Sequence, residues 1–247
     1  MTRILQALSK LTKTWKEKEM NTILEAKNIS FYFGEKDKST PIINNLNLSV
    51  EQGEFVAIMG ASGSGKSTIL QVISGLERSK SGEVVLLNKN LVHGSHGSIK
   101  KLYRKNVSFV FQDAHLIPGL SALDNVGMAA NLAGTGKGRE LSQEWLDQLK
   151  VGNISKHYPS ELSGGQRQRV ALATALVKSP DIIFADEPTS ALDAESTEMI
   201  IMHLKNFSKD GGTVIAVTHD DRVAQEASKV YWLEGGQLHL HREAGVL

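Results

Sequence analysis

Residues Gly60-Ala61-Ser62-Gly63-Ser64-Gly65-Lys66-Ser67-Thr68 follow a strand-like run at 54–59 and lead into a helical stretch at 69–74. No other feature limits so tightly what the chain can fold into. Glycine at 60, 63 and 65 lets backbone N–H groups turn inward and approach an anion that side chains would block. The first turn of the following helix adds unpaired N–H groups and the positive end of its dipole. Lys66 supplies a cation for the β- and γ-phosphates, Ser67 a hydroxyl able to ligate magnesium, and Thr68 a donor for the α-phosphate. Such a loop works only between a strand and a helix. The pattern therefore calls for an α/β core and for a bound nucleoside triphosphate.

The rest of the chain supplies that core. Short β-branched runs predict strands at 24–29, 42–50, 54–59, 83–87 and 107–111. From about 121 to 150 the period becomes helical, and Gly134, Gly136 and Gly138 divide the stretch into two helices. Helix 170–177, strand 181–185, helix 195–207, strand 213–218 and helix 222–227 follow, then a hairpin of 229–233 with 237–240 across Glu234-Gly235-Gly236. Strand–helix alternation predicts a mostly parallel sheet, with a helical lobe at about 115–163 inserted into it.

Composition removes several alternatives. The 247 residues are 40% hydrophobic, enough for a sizeable core. A formal net charge of +1 gives no global basic field for nucleic acid. The absence of cysteine excludes disulfides and cysteine-ligated zinc or iron–sulfur sites. No run approaches the roughly 18 uncharged apolar residues that span a bilayer, so a membrane role would require a separate spanning partner. Residues 1–20 stand apart. Ile4, Leu5, Leu8, Leu11 and Trp15 recur at helical spacing among Arg3, Lys10, Lys13, Lys16 and Lys18. This segment reads either as an amphipathic helix for an anionic surface or as a disordered extension, and it lacks the apolar centre of a signal peptide.

A second group of candidates ends the strand at 181–185. In open α/β sheets the carboxyl ends of strands face the ligand, which places Asp186 to hold magnesium opposite Ser67. Glu187 is then displaced toward the γ-phosphate, where it could polarise the attacking water. Gln112 closes the strand 107–111 as a candidate water or magnesium ligand. His219 ends the strand 213–218 and could contact the γ-phosphate and steady the water's base. His239 and His241 read as surface residues.

Leu162-Ser163-Gly164-Gly165-Gln166 offers a second anion-binding helix start, with Ser163 as N-cap and two glycines exposing backbone N–H groups. A nucleotide seated on Lys66 leaves it unused, unless another subunit supplies the phosphate. At this point the sequence resembles the nucleotide-binding subunits of the ATP-binding-cassette family, whose signature is this Leu-Ser-Gly-Gly-Gln, over about residues 23–240. The resemblance implies a P-loop NTPase core at 21–247 with an N-terminal antiparallel β subdomain, and ATP and Mg2+ as ligands. It implies a head-to-tail homodimer in which Ser163, Gly164, Gly165 and Gln166 of one chain complete the ATP site of the other.

Gln112 matches the family's glutamine loop, Ser190-Ala191-Leu192-Asp193 the loop linking the two sites, and His219 the switch histidine. Phe33, or alternatively Tyr32, would stack on adenine. The helical lobe would meet an integral membrane permease subunit, placing the chain peripherally on the cytoplasmic side of the inner membrane. Phe111-Gln112-Asp113, Leu116-Ile117-Pro118 and Ala122-Leu123-Asp124-Asn125-Val126 resemble the lipoprotein-releasing, macrolide-exporting and peptide-resistance branch, which moves lipids, lipoproteins, haem, peptides or drugs. Thr174 departs from the arginine common in the signature helix, implying an altered surface contact. Two other classes remain as alternatives. One is a soluble cassette ATPase acting on nucleic acid or protein complexes. The other is a P-loop kinase, which leaves the Ser163 helix start unexplained.

Overall fold

The computed structural model describes residues 22–34, 41–136 and 138–243. The expectation for residues 1–20 lies outside them. Strands β1 (Thr22–Phe31), β2 (Ile43–Glu51), β4 (Ser81–Leu86) and β5 (Lys89–Asn90) form an antiparallel sheet in the order β2-β1-β4-β5. A larger sheet joins β3 (Phe55–Gly60), β6 (Val107–Val110), β7 (Ile182–Asp186), β8 (Thr213–Val217), β9 (Lys229–Glu234) and β10 (Gln237–Glu243). Its order is β10-β9-β3-β8-β7-β6, parallel from β9 to β6, with β10 returning antiparallel as the expected hairpin.

The pleat divides each central strand between two cores, because successive side chains point to opposite faces. Phe55, Ala57 and Met59 of β3, Ile183 and Ala185 of β7, and Val214 and Ala216 of β8 face one side. There they meet α3 (Ala122–Ala133), α4 (Gly138–Gln148), α5 (Gly164–Leu176) and α6 (Ala194–Lys209). Val56, Ile58, Ile182, Phe184, Ile215 and Val217 face the other side, packing with α1 (Lys66–Ile73) and the antiparallel sheet. Phe184 is fully buried, so its truncation to alanine would cost about 3–5 kcal/mol. Among the described residues no helix is long and apolar enough to cross a membrane.

The topology positions the site. Strands β3, β8, β7 and β6 lie side by side and parallel, with Ile58 paired to Val217, Asp186 to Val217, and Val110 to Ala185. Their carboxyl ends thus share one edge, and the residues that follow them are the glycine-rich loop, His219, Glu187 and Gln112.

Several boundaries differ from the sequence reading. Strand β6 stops at Val110, leaving Phe111 and Gln112 in the loop. Helix α5 starts at Gly164, six residues before the predicted helix, because Ser163 and Gln166 build a capping box that overrides the poor propensity of paired glycines. Helix α2 (His96–Lys105) was not foreseen from its polar pattern, and Leu102 is its one buried residue. It is held from outside: Lys178 donates to Tyr103 O and Val107 O, and Arg104 and Lys105 complement the negative end of its dipole.

Candidate active site

The glycine-rich loop curls around its own lysine. Lys66 is 8% exposed, and its Nζ donates to Gly60 O at 2.9 Å and to Ala61 O at 3.0 Å. Ser64 N donates to Ala61 O, which narrows the turn. Gly65 precedes α1 at φ 96°, and an added Cβ would stand 2.6 Å from Ile42 Cγ2, so only glycine fits. No side chain caps α1. Its first N–H groups are left open to the cleft. That cleft, of about 530 Å³, is lined by Ser62, Gly63, Gly65, Lys66, Ser67 and Thr68 of the loop, together with Phe33, Ile42, Gln112, Glu187, Ser190 and His219.

The candidates on β7 and β8 converge here. Ser67 Oγ donates to Asp186 Oδ1 at 2.9 Å. Burial pushes the Asp186 carboxyl above its ordinary range, against the pull of the Ser67 hydrogen bond. Two hard oxygen donors side by side, one a carboxylate short of solvent, suit a magnesium ion. Glu187 Oε1 lies 4.0 Å from Lys66 Nζ, and Glu187 Oε2 lies 2.9 Å from His219 Nδ1. Glu187 occupies the left-handed region at φ 45°. Its N–H is fixed by Val217 O at 2.9 Å. A non-glycine residue held there is a feature of strained functional turns.

Gln112 donates through Nε2 to Ser190 Oγ at 3.3 Å. Ser190 was read from sequence only as part of a linking loop, yet it lines the cleft because its N–H closes a turn onto Glu187 O at 3.1 Å. Phe33 is 61% exposed at the cleft, its ring edge-on to Phe31. Tyr32 turns instead toward Lys80, whose Nζ is 5.7 Å from the ring centroid.

The remaining candidates gather elsewhere. Ser163 Oγ accepts from Gln166 N at 3.2 Å, and Gln166 Oε1 accepts from Ser163 N at 2.9 Å. Gln166 therefore spends its carbonyl oxygen on the cap. Asp193 caps α6, accepting from Ser196 N at 2.7 Å and Ser196 Oγ at 3.1 Å. Those bonds, the backbone one foremost, hold its carboxyl below the ordinary range. Gly165 lies against this cap: a Cβ would reach within 2.5 Å of Ser196 Oγ. The described residues lining the Lys66 cleft include none of Ser163, Gly164, Gly165, Gln166 or Asp193. A link missed by sequence joins the two places. Gln168, 3% exposed on α5, donates to Phe111 O at 2.9 Å, just before Gln112.

Comparison with known proteins agrees with this geometry. The family model described as ABC transporter matches residues 43–190. The chain is 38% identical to an uncharacterized ABC transporter ATP-binding protein, YvrO, of Bacillus subtilis, covering 91% of this chain and 99% of that one. It is 38% identical to the lipoprotein-releasing system ATP-binding protein LolD of Francisella tularensis, covering 89% and 97%. It is also 38% identical to the macrolide export ATP-binding/permease protein MacB of Wolinella succinogenes, covering 91% of this chain but 35% of that protein. The dimeric post-hydrolysis structure of the ATP-binding cassette MJ0796 with ADP and Pi superposes with a TM-score of 0.85 at 37% identity, covering 90% of this chain and all of that one. With its phosphate loop, acid pair and signature helix in these positions, the chain belongs to the ABC transporter family as an ATP-binding, ATP-hydrolysing subunit.

Proposed function

We propose that two copies of this chain pair head to tail and close on ATP, the Lys66 loop of one protomer facing the Ser163 helix start of the other. One observation carries this reading: two amide nests exist on the chain, and the cleft around the first contains no residue of the second. A bound nucleotide would leave one face of its γ-phosphate uncovered by its own protomer. The MJ0796 cassette, similar over its whole length, has a dimeric structure.

In this reading Lys66 neutralises the β- and γ-phosphates, and the open N–H groups of α1 cradle them. Ser67, Asp186 and Gln112 would hold Mg2+, which supplies charge neutralisation between the phosphates. Glu187, already beside Lys66, accepts a hydrogen bond from the attacking water and aims it. His219 steadies Glu187 through the 2.9 Å contact. Phe33, exposed in the lining of the cleft, would offer a platform for adenine, with Tyr32 beside it as the alternative. Asp193 and Ser190 lie on one loop between the two nests and would relay closure of one site to the other.

The cycle would drive export or extraction of a lipid, lipoprotein, haem, peptide or drug through a separate permease, with the chain peripheral on the cytoplasmic face of the inner membrane. The LolD and MacB likenesses support that branch. The helical segment at about 115–163 would be the docking lobe within a single nucleotide-binding domain. A groove of about 550 Å³ between α2, β6, α3 and α5, with Tyr103, Phe109, Ala129, Leu132 and Thr174 in its lining, supports docking there. The relatives named above are transport proteins, which gives nucleic-acid work no support.

The test is Glu187→Gln in Mg2+ and ATP, with binding, turnover and mass in solution measured together. The variant should keep ATP binding, lose turnover about a hundredfold or more, and accumulate as a dimer. Turnover equal to the parent's would overturn the role of Glu187. A monomer with ATP bound would overturn the paired site.

A further inference from the structure

Behind the contact of Glu187 with His219, the loops after β7 and β8 are joined a second time. Thr189 lies two residues past Glu187, and Asp220 directly follows His219. Thr189 Oγ1 donates to Asp220 Oδ2 at 3.0 Å, and Thr189 is 5% exposed, so water offers little competition for the bond. Asp220 is itself anchored. It caps α7 (Asp221–Glu226) through Arg222 N at 3.0 Å and takes Arg222 Nε at 2.9 Å and Nη2 at 2.8 Å. Desolvation works against its charge, but these bonds and the Thr189 hydroxyl prevail and hold the carboxyl below its ordinary range. Asp220 N also donates to Thr218 Oγ1 at 3.0 Å, tying the residue to the end of β8.

Neither Thr189 nor Asp220 is among the described residues lining the cleft, whereas Glu187, Ser190 and His219 are. Whatever the pair does for chemistry it does through those neighbours. Glu187 is held at its backbone by Val217 O, and its carboxylate meets the backbone N–H of His219 at 3.3 Å as well as the ring. The direction of that carboxylate therefore depends on how far apart the two loops stand, and the half-buried Thr189–Asp220 bond spans that gap.

We propose that Thr189 and Asp220 are positioning residues for hydrolysis: their hydrogen bond sets the spacing of the β7 and β8 loops and so aims the Glu187 carboxylate and the His219 imidazole. The inference rests on the role given to Glu187 above and adds what holds that role in place. Displacements of about 1 Å in a reacting geometry can cost up to a hundredfold in rate, while ATP affinity, set at the Lys66 loop, is untouched.

The experiment is steady-state ATP hydrolysis by the full chain with three substitutions of Thr189 and, in parallel, Glu187→Gln. Thr189→Val keeps the shape and removes the hydroxyl, and Asp220 retains Arg222 as partner, so the fold should survive. The kcat should fall about tenfold with KM for ATP unchanged, and Thr189→Ser should recover most of the loss. Thr189→Ala should repeat the deficit and decides the matter if the valine variant does not fold. A parent-like kcat in the variants lacking the hydroxyl, or a serine variant as slow as they are, overturns the proposal. So does a parallel rise in KM. A dead Glu187→Gln beside a parent-like Thr189→Val sinks this proposal alone, whereas a fully active Glu187→Gln sinks the site reading with it.

Discussion

The starts of α1 and α5 are both glycine-rich helix termini, and they are finished in opposite ways. At α1 no side chain caps the first turn, and a lysine, the Glu187 carboxylate and a histidine line the same cleft. At α5 the chain satisfies its own end: Ser163 and Gln166 exchange hydrogen bonds, and Gly165 presses on the Asp193–Ser196 cap. The first terminus is built to lack something. The second is stable by itself and keeps only a few donors to lend, among them the Ser163 hydroxyl. An anion site needs unpaired donors and opposing charge, and at α1 the uncapped first turn and Lys66 bring both into one cleft.

The largest effects should come from crossing the two nests. Lys66→Ala is expected to lower ATP turnover by about a hundredfold to a thousandfold, the scale of removing one preorganised charge-stabilising donor. Ser163→Ala should also lose turnover, with a cost of about 1 kcal/mol to helix stability from the missing cap. Mixed together, the two variants form some heterodimers in which both lesions fall in one composite site and the other site is whole. Turnover should then reappear above that of either variant alone. A mixture that stays silent would break the comparison, because it would place both nests around one nucleotide in one chain.

A smaller effect separates the base platform from the phosphate nests. Phe33→Ala should raise KM for ATP about fivefold, in keeping with stacking worth about 1–3 kcal/mol per base, while Tyr32→Ala should change it less than about twofold. Equal effects would undo the choice between them.

The smallest effect compares the acids behind each nest. The Asp193 carboxyl is held below its ordinary 3.8 by Ser196, so its stabilisation is present above that pH and lost as pH falls through the folded value. Burial raises Asp186 above 3.8, so its charge is a penalty that grows as pH rises from 3.8 toward the folded value and is fully present above it. At neutral pH and without nucleotide, Asp186→Asn should raise the melting temperature and Asp193→Asn should lower it. Shifts of the same sign would show that the two loops are not finished differently after all.

Much of the site could be read locally. The motif around Lys66, the acid pair after an apolar strand and the capping pattern at Ser163 are short-range patterns, and short-range geometry decides them. For Phe33 and Tyr32, adjacent in sequence, the structure adds that Phe33 lines the cleft while Tyr32 lies near Lys80. Ser190 escaped notice as a lining residue because a turn onto Glu187 O brings it back to the cleft. Helix α2 is short and mostly polar, its apolar stripe only Ile99, Leu102 and Tyr103, and Lys178 holds it from more than seventy residues away.

The chain's own order of residues determined that a phosphate is bound, which strand ends carry the acids, and that a second helix start exists with no anion to serve. Those follow from backbone reach and side-chain chemistry over a handful of positions. The packed structure alone decided that β3, β8, β7 and β6 stand side by side, so that loops more than a hundred residues apart open on one cleft. It alone joined Thr189 to Asp220 and Gln168 to Phe111. Such pairings depend on sheet order and on burial, and neither is written in any local stretch of sequence.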